Sequence, residues 1–94
     1  MIRVLIERHI AETLESAYEE HSRSVLQQAV SAPGFISGET LYDAADPNHR
    51  LTLSNWRSAA EWDRWFHSDT RKELMSAILP MMDRDEKITI LEQC

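Results

Sequence analysis

The residues of this chain best suited to chemistry are its histidines, a few arginines and the aromatic run "NWRSAAEWDRWFHSD", Asn55 to Asp69, which holds all three tryptophans. Imidazole titrates near neutral pH, so a histidine beside a bound molecule can take a proton from it. His67 follows the aromatic run and precedes Ser68, and His21 lies on the apolar stripe of a long helix, where it should point toward the sheet. Either is a candidate base. An exposed helix-end residue and a hydrogen-bonded core residue are the corresponding structural readings. Asn55, Thr52 and Arg71 are polar groups that can orient a substrate, and Arg57 and Arg71 can hold an anionic group. Arginines flanking a helix are also commonly solvated, or paired with carboxylates, here Glu61 or Asp69.

Trp56 falls at the end of a strand, while Trp62, Trp65 and Phe66 stand at i, i+3 and i+4 and so share one helix face. That face must meet a sheet. Each ring contributes about 2–3 kcal/mol when fully buried, so the cluster can be core, the walls of a pocket, or both.

Metal chemistry is not expected. Glu7 and His9 share one strand face, but two ligands without a third at a recognisable spacing make no metal site. His49 falls in a turn-rich loop and reads as solvated, as does the charged segment "DRDEK", Asp83 to Lys87. Cys94, the single cysteine, has no partner for an internal disulfide and reads as a free surface thiol.

The elements that must position these residues follow from periodicity. Met1 to His9 alternates, with Ile2, Val4 and Ile6 on one side and Arg3, Leu5 and Glu7 on the other, which predicts a strand. From about Thr13 to Ala32, Leu14, Ala17, Tyr18, His21, Val25 and Ala29 recur three or four apart and predict an amphipathic helix. Pro33 and Gly34 stop it. Phe35 to Tyr42 and Arg50 to Arg57 read as strands joined by a longer loop, "DAADPNH". Ser58 with Glu61 forms a capping box for the aromatic helix, and Ser68 caps a further helix that ends before Pro80. Glu86 to Gln93 returns to alternation.

The order β-α-β-β-α(α)-β predicts an α+β fold: a ferredoxin-like, four-stranded antiparallel sheet with helices on one face. Residues 1–94 suffice for one domain. Leu5 sits on the phase opposite Ile2, Val4 and Ile6, so the second face of the sheet is not fully polar and a second copy could cover it, as a homodimer.

A formal net charge of −6, with the basic residues scattered, argues against a phosphate-tracking surface. Neither nucleic acid nor an anionic membrane is an expected partner. No apolar run is long enough to span a bilayer, and charges interrupt the apolar start "MIRVLIERHI", so the expected compartment is the cytoplasm.

The run "PGFISGETLYDAADPNHRLTLSNWRSAAEWDRWFHSDTRKEL", Pro33 to Leu74, resembles the antibiotic biosynthesis monooxygenase family. The resemblance rests on "PGF" before the second strand, on a strand ending in tryptophan followed by Arg57 and Ser58, and on an aromatic helix running into "SD". It implies pairing as a dimeric α+β barrel. It also implies a cofactor-independent monooxygenase that uses O₂ on a small aromatic of quinol type, held between sheet and helices. In relatives acting on polyketide anthrones the strand-end tryptophan matches Trp56. Their helix tyrosine matches Trp62, which keeps the ring without the hydroxyl, their strand asparagine matches Thr52, and their last-helix arginine matches Ser76. In haem-degrading relatives the pocket tryptophan matches Trp65, but the iron-ligating histidine falls at Met75 and the first-strand asparagine near Glu7. A thioether replaces proximal imidazole poorly, so haem degradation is disfavoured and no cofactor is expected. A non-catalytic ligand-binding or stress-response barrel is the alternative.

Overall fold

A computed structural model describes residues 1–94. The chain runs β1 (Ile2–His9), α1 (Glu15–Ala29), β2 (Phe35–Asp43), β3 (Asp46–Trp56), α2 (Ala59–Phe66), α3 (Asp69–Ile78) and β4 (Lys87–Glu92), with a 3-10 turn at Leu79–Met81. All strand pairs are antiparallel, in the order β2-β3-β1-β4. This is the ferredoxin-like arrangement that the pattern predicts.

β1 is central because it is the strand with most to bury. Ile2, Val4, Ile6 and Arg8 are all buried on the helix side, while Leu5, Glu7 and His9 are half-buried on the other. Register extends these faces across the sheet. Trp56, Ser54, Thr52 and Arg50 of β3 stand beside the first set, and Asn55, Leu53, Leu51 and His49 beside the second. The core then closes with Tyr18, Val25 and Ala29 from α1, Trp62 and Trp65 from α2, and Met75 and Ile78 from α3.

Both predicted serine caps form. Ser58 Oγ accepts from the Glu61 backbone N–H at 3.3 Å, and Ser68 Oγ accepts from that of Arg71 at 3.1 Å. The capping box differs in its second half: Glu61 Oε1 accepts from the Ser58 hydroxyl at 3.0 Å, and its carboxylate also takes Arg57. Gly34 is required at the α1–β2 corner. Its φ is +89°, and an added Cβ would lie 2.5 Å from the Glu61 carboxyl carbon.

Three local expectations are corrected. The β2–β3 connection is a tight turn at residues 44 and 45, not a long loop, because Asp43 and Asp46 carboxylates accept from the backbone N–H of Ala45 and Asn48. His49 is therefore a strand residue, stacked on His9 with ring centroids 4.5 Å apart and bonded to Glu7 and Asp43, rather than a solvated loop residue. On α1 the buried line runs through Tyr18, Ser22, Val25 and Ala29, so the face is turned by about one residue and Ser22, not His21, faces the sheet. No helix is long and apolar enough to cross a membrane.

Candidate functional site: an aromatic cavity with a buried ionic cluster

The tryptophans meet where the end of β3 runs beneath α2. Phe35 contacts Trp56 edge to face at 5.4 Å between centroids, and Trp56 contacts Trp62 in the same manner at 5.6 Å. The Trp56 indole N–H donates to Ser54 Oγ at 3.0 Å, which satisfies the one polar atom of a ring only 1% exposed. Beside this stack lies a cavity of about 30 Å³. Phe35, Trp56, Trp62 and Trp65 form its aromatic wall, Thr40, Thr52 and Ser54 its short polar floor, and Ser22 and Leu26 its side toward α1.

That volume holds about one water molecule and no aromatic ring. A larger groove of about 260 Å³ lies outside, between α1 and β2, bordered by Tyr18, Tyr42 and Arg50 among others. Groove and cavity share Ser22, Leu26 and Thr40 as walls. Gly38 explains why they approach so closely: a Cβ there would lie 3.0 Å from Leu26, so the missing side chain lets Leu26 settle over the floor.

Two guanidiniums also line the cavity. Arg8 is 3% exposed and Arg71 5% exposed, and one carboxylate, Glu86, joins them. Arg8 Nε donates to Glu86 Oε2 at 2.9 Å, and Arg71 Nη2 donates to Glu86 Oε1 at 3.2 Å. Arg8 spends its other nitrogens on the Tyr18 hydroxyl at 3.0 Å and on Met75 Sδ at 3.5 Å. Arg71 lies over Phe66, 4.7 Å from the ring centroid. Burial alone would raise the Glu86 carboxyl, but the two guanidiniums outweigh it and hold that group below the usual range. Burial lowers Arg71, with Glu86 opposing only in part.

The residues singled out in the sequence divide between the two faces of the fold. Trp56, Trp62, Trp65, Thr52 and Arg71 come together around the cavity. Phe66 packs against Trp62 and under Arg71, on the side away from the cavity, where it borders a separate surface groove. Asn55 lies on the opposite face of the sheet, since one residue separates it from Trp56; its Nδ2 donates to Ser37 Oγ at 2.9 Å and its Oδ1 is buried without a partner. His67 is exposed at the end of α2 beside Asp63, and His21 is half-buried on α1; neither lines the cavity. Arg57 pairs with Glu61 as expected, whereas Arg71 takes Glu86 rather than Asp69. Glu86 thus departs from the solvated reading of "DRDEK". Cys94 is exposed and unpaired.

Arg8 and Glu86 escaped the sequence reading. One signal was available for Arg8, which continues the buried phase of Ile2, Val4 and Ile6 and so places a charge on an apolar face. Nothing local marks Glu86, whose partners are 78 and 15 residues distant along the chain.

The profile of the antibiotic biosynthesis monooxygenase family matches residues 1–77. The chain belongs to this family. Solved structures agree with that membership at the level of fold. A conserved protein from Methanosarcina mazei Go1 superposes with a TM-score of 0.92 at 18% identity, covering 99% of this chain and 92% of its own. An antibiotic biosynthesis monooxygenase superposes at 0.90 and 16% identity, covering 100% and 99%. SnoaB, a cofactor-independent oxygenase from Streptomyces nogalater, superposes at 0.87 and 10% identity, covering 98% and 91%. No curated protein matches by sequence. The family match ends before Glu86, so the hub of the ionic cluster lies outside the matched residues of this monooxygenase-family chain.

Proposed function

We propose that this protein is a cofactor-independent monooxygenase that oxidises a small aromatic of quinol type with O₂. The observation that carries the reading is a cavity between sheet and helices with a wall of three tryptophans and Phe35 and two buried guanidiniums at its end. Flat rings stack on such walls, and a cation in a dry site stabilises a substrate oxyanion. In this reaction class the deprotonated substrate supplies the electrons; one oxygen atom enters the product and the other leaves as water. Trp56, Trp62 and Trp65 are the walls, Thr52 and Ser54 the polar floor, and Arg8 and Arg71 the groups that face the oxyanion. A ring enters by displacing Leu26, which merges the cavity with the groove between α1 and β2.

The same reading includes a homodimer. Leu5, Leu41, Leu51, Leu53 and Leu91 share the sheet face that no helix covers, and a second copy is the partner that family membership supports. Light scattering at micromolar concentration should give twice the chain mass; a monomer would remove this part. A second reading, ligand binding without turnover, draws on a lining that carries no histidine or carboxylate.

Oxygen uptake with a panel of naphthohydroquinones in metal-free buffer, with autoxidation subtracted, separates the two. Saturable uptake that falls in Trp56→Phe supports the oxygenase. Binding with no consumption of any panel member would leave the ligand-binding reading in its place.

A further inference from the structure

Gly38 leaves a bare patch on the helix side of β2. Its register partner on β3 is Ser54, and Thr40, two residues on, pairs with Thr52; Ser54, Thr40 and Thr52 all line the cavity. A glycine inside a strand packs nothing and weakens the strand, so it commonly marks a place that another group must approach closely. Backbone conformation does not demand it here, since Gly34 is the glycine with a positive φ. Space does. A Cβ at position 38 would lie 3.0 Å from Leu26 Cδ1 and 3.3 Å from Phe35 Cζ, so two cavity-lining side chains close over the bare patch. Phe35 is held there, edge to face against Trp56. Leu26 is the one free to leave: it is half-buried on α1 and also borders the outer groove of about 260 Å³.

We infer that the ligand lies over Gly38 in the place Leu26 now holds, and that the missing side chain at position 38 makes this a site for two fused rings. This deepens the oxygenase reading and rests on it for the tryptophan wall against which the first ring lies. Once Leu26 swings toward the groove, the vacated space runs from that wall across Ser54 to Gly38, from one strand to the next, about 4.8 Å away. Cavity and groove then form one site near the lower end of the range for small-molecule pockets, about 300 Å³. A single ring fits beside residue 38. A flat bicycle must cross it, and a methyl group there would stand under the second ring.

The probes are 1,4-naphthohydroquinone and the one-ring hydroquinone, each titrated under nitrogen by equilibrium dialysis against wild type, Leu26→Ala, Gly38→Ala and the double variant. Leu26→Ala empties the seat and should tighten the two-ring compound by about tenfold. Gly38→Ala should weaken the two-ring compound by about tenfold in both backgrounds, while hydroquinone changes by less than about threefold. Full recovery in the double variant would mean that Gly38 serves only to seat Leu26, and would overturn the inference. No loss in Gly38→Ala, or an equal loss for the two compounds, overturns it too. In each of these cases the tryptophan wall still binds a ring. Failure of both compounds to bind wild type and Leu26→Ala overturns the cavity reading as well. Should Gly38→Ala fold poorly, Leu26→Ala decides alone: unchanged affinity for the two-ring compound would show that no ring takes the leucine's place.

Discussion

Arg8 and its neighbours Glu7 and His9 are adjacent on β1, yet they belong to ionic clusters on opposite faces of one sheet. On the helix side Arg8 joins Glu86 and Arg71, all of them shielded. On the open side His49 bridges Glu7 at 3.2 Å and Asp43 at 3.3 Å while stacking on His9. The distances are comparable; the surroundings are not. In the first cluster the two guanidiniums are nearly sealed from water and Glu86 is the carboxylate they share, so both depend on it. In the second, water reaches the Asp43 carboxylate, 41% exposed, and screens the set. Burial, more than contact distance, decides what an ion pair is worth.

The largest test of that contrast is Glu86→Ala. It strands two buried guanidiniums and should cost about 3–5 kcal/mol in urea denaturation, the range for breaking a buried pair. A loss below about 1 kcal/mol would mean that the cluster is wetter than its exposures indicate.

Acid should find the same weakness. The folded-state carboxyl of Glu86 is held below its unfolded value, so its contribution is complete above the ordinary glutamate range and disappears as pH falls through the depressed value. Melting temperature followed from neutral pH into acid should drop along a limb that flattens in Glu86→Gln. An identical limb in both proteins would assign the acid sensitivity elsewhere.

Leu26→Ala probes the cavity side alone. Leu26 is half-buried, so the expected stability loss is about 1–2 kcal/mol. Stopped-flow mixing with a naphthohydroquinone under nitrogen should show faster entry; an unchanged rate would exclude the α1–β2 cleft as the route.

The smallest effect is expected from His49→Gln on the open side, within about 1 kcal/mol for the isolated chain. A loss as large as that of Glu86→Ala would show that the open face is covered in solution, and light scattering on the same variant would say whether a second copy does the covering.

Much of this molecule is legible in its sequence, for reasons of local physics. Alternation set β1, one face of which leaves water, and also marked β4, although Ile90 there stays exposed. Ser58 and Ser68 marked helix starts because their hydroxyls satisfy orphan N–H groups three residues on, and Pro33 with Gly34 marked the corner. The spacing of Trp62 and Trp65 put both rings on one buried face. The α1 face was less well defined, because His21 and Ser22 are both polar neighbours and a turn of one residue exchanges which of them is buried. The β2–β3 turn was masked by a run of turn-forming residues, most of which sit in the strands beside it.

What the tertiary structure alone decided is the company each residue keeps. Asn55 and Trp56 are neighbours in sequence and lie on opposite faces because side chains alternate along a strand. Arg8, Arg71 and Glu86 come from β1, α3 and the approach to β4, and only the assembled sheet with its helices brings them within hydrogen-bond distance. Periodicity reports how a segment meets water. It carries no information on which distant segment will supply a charge, because that depends on sheet order and helix placement, and those are settled by burial over the whole chain at once.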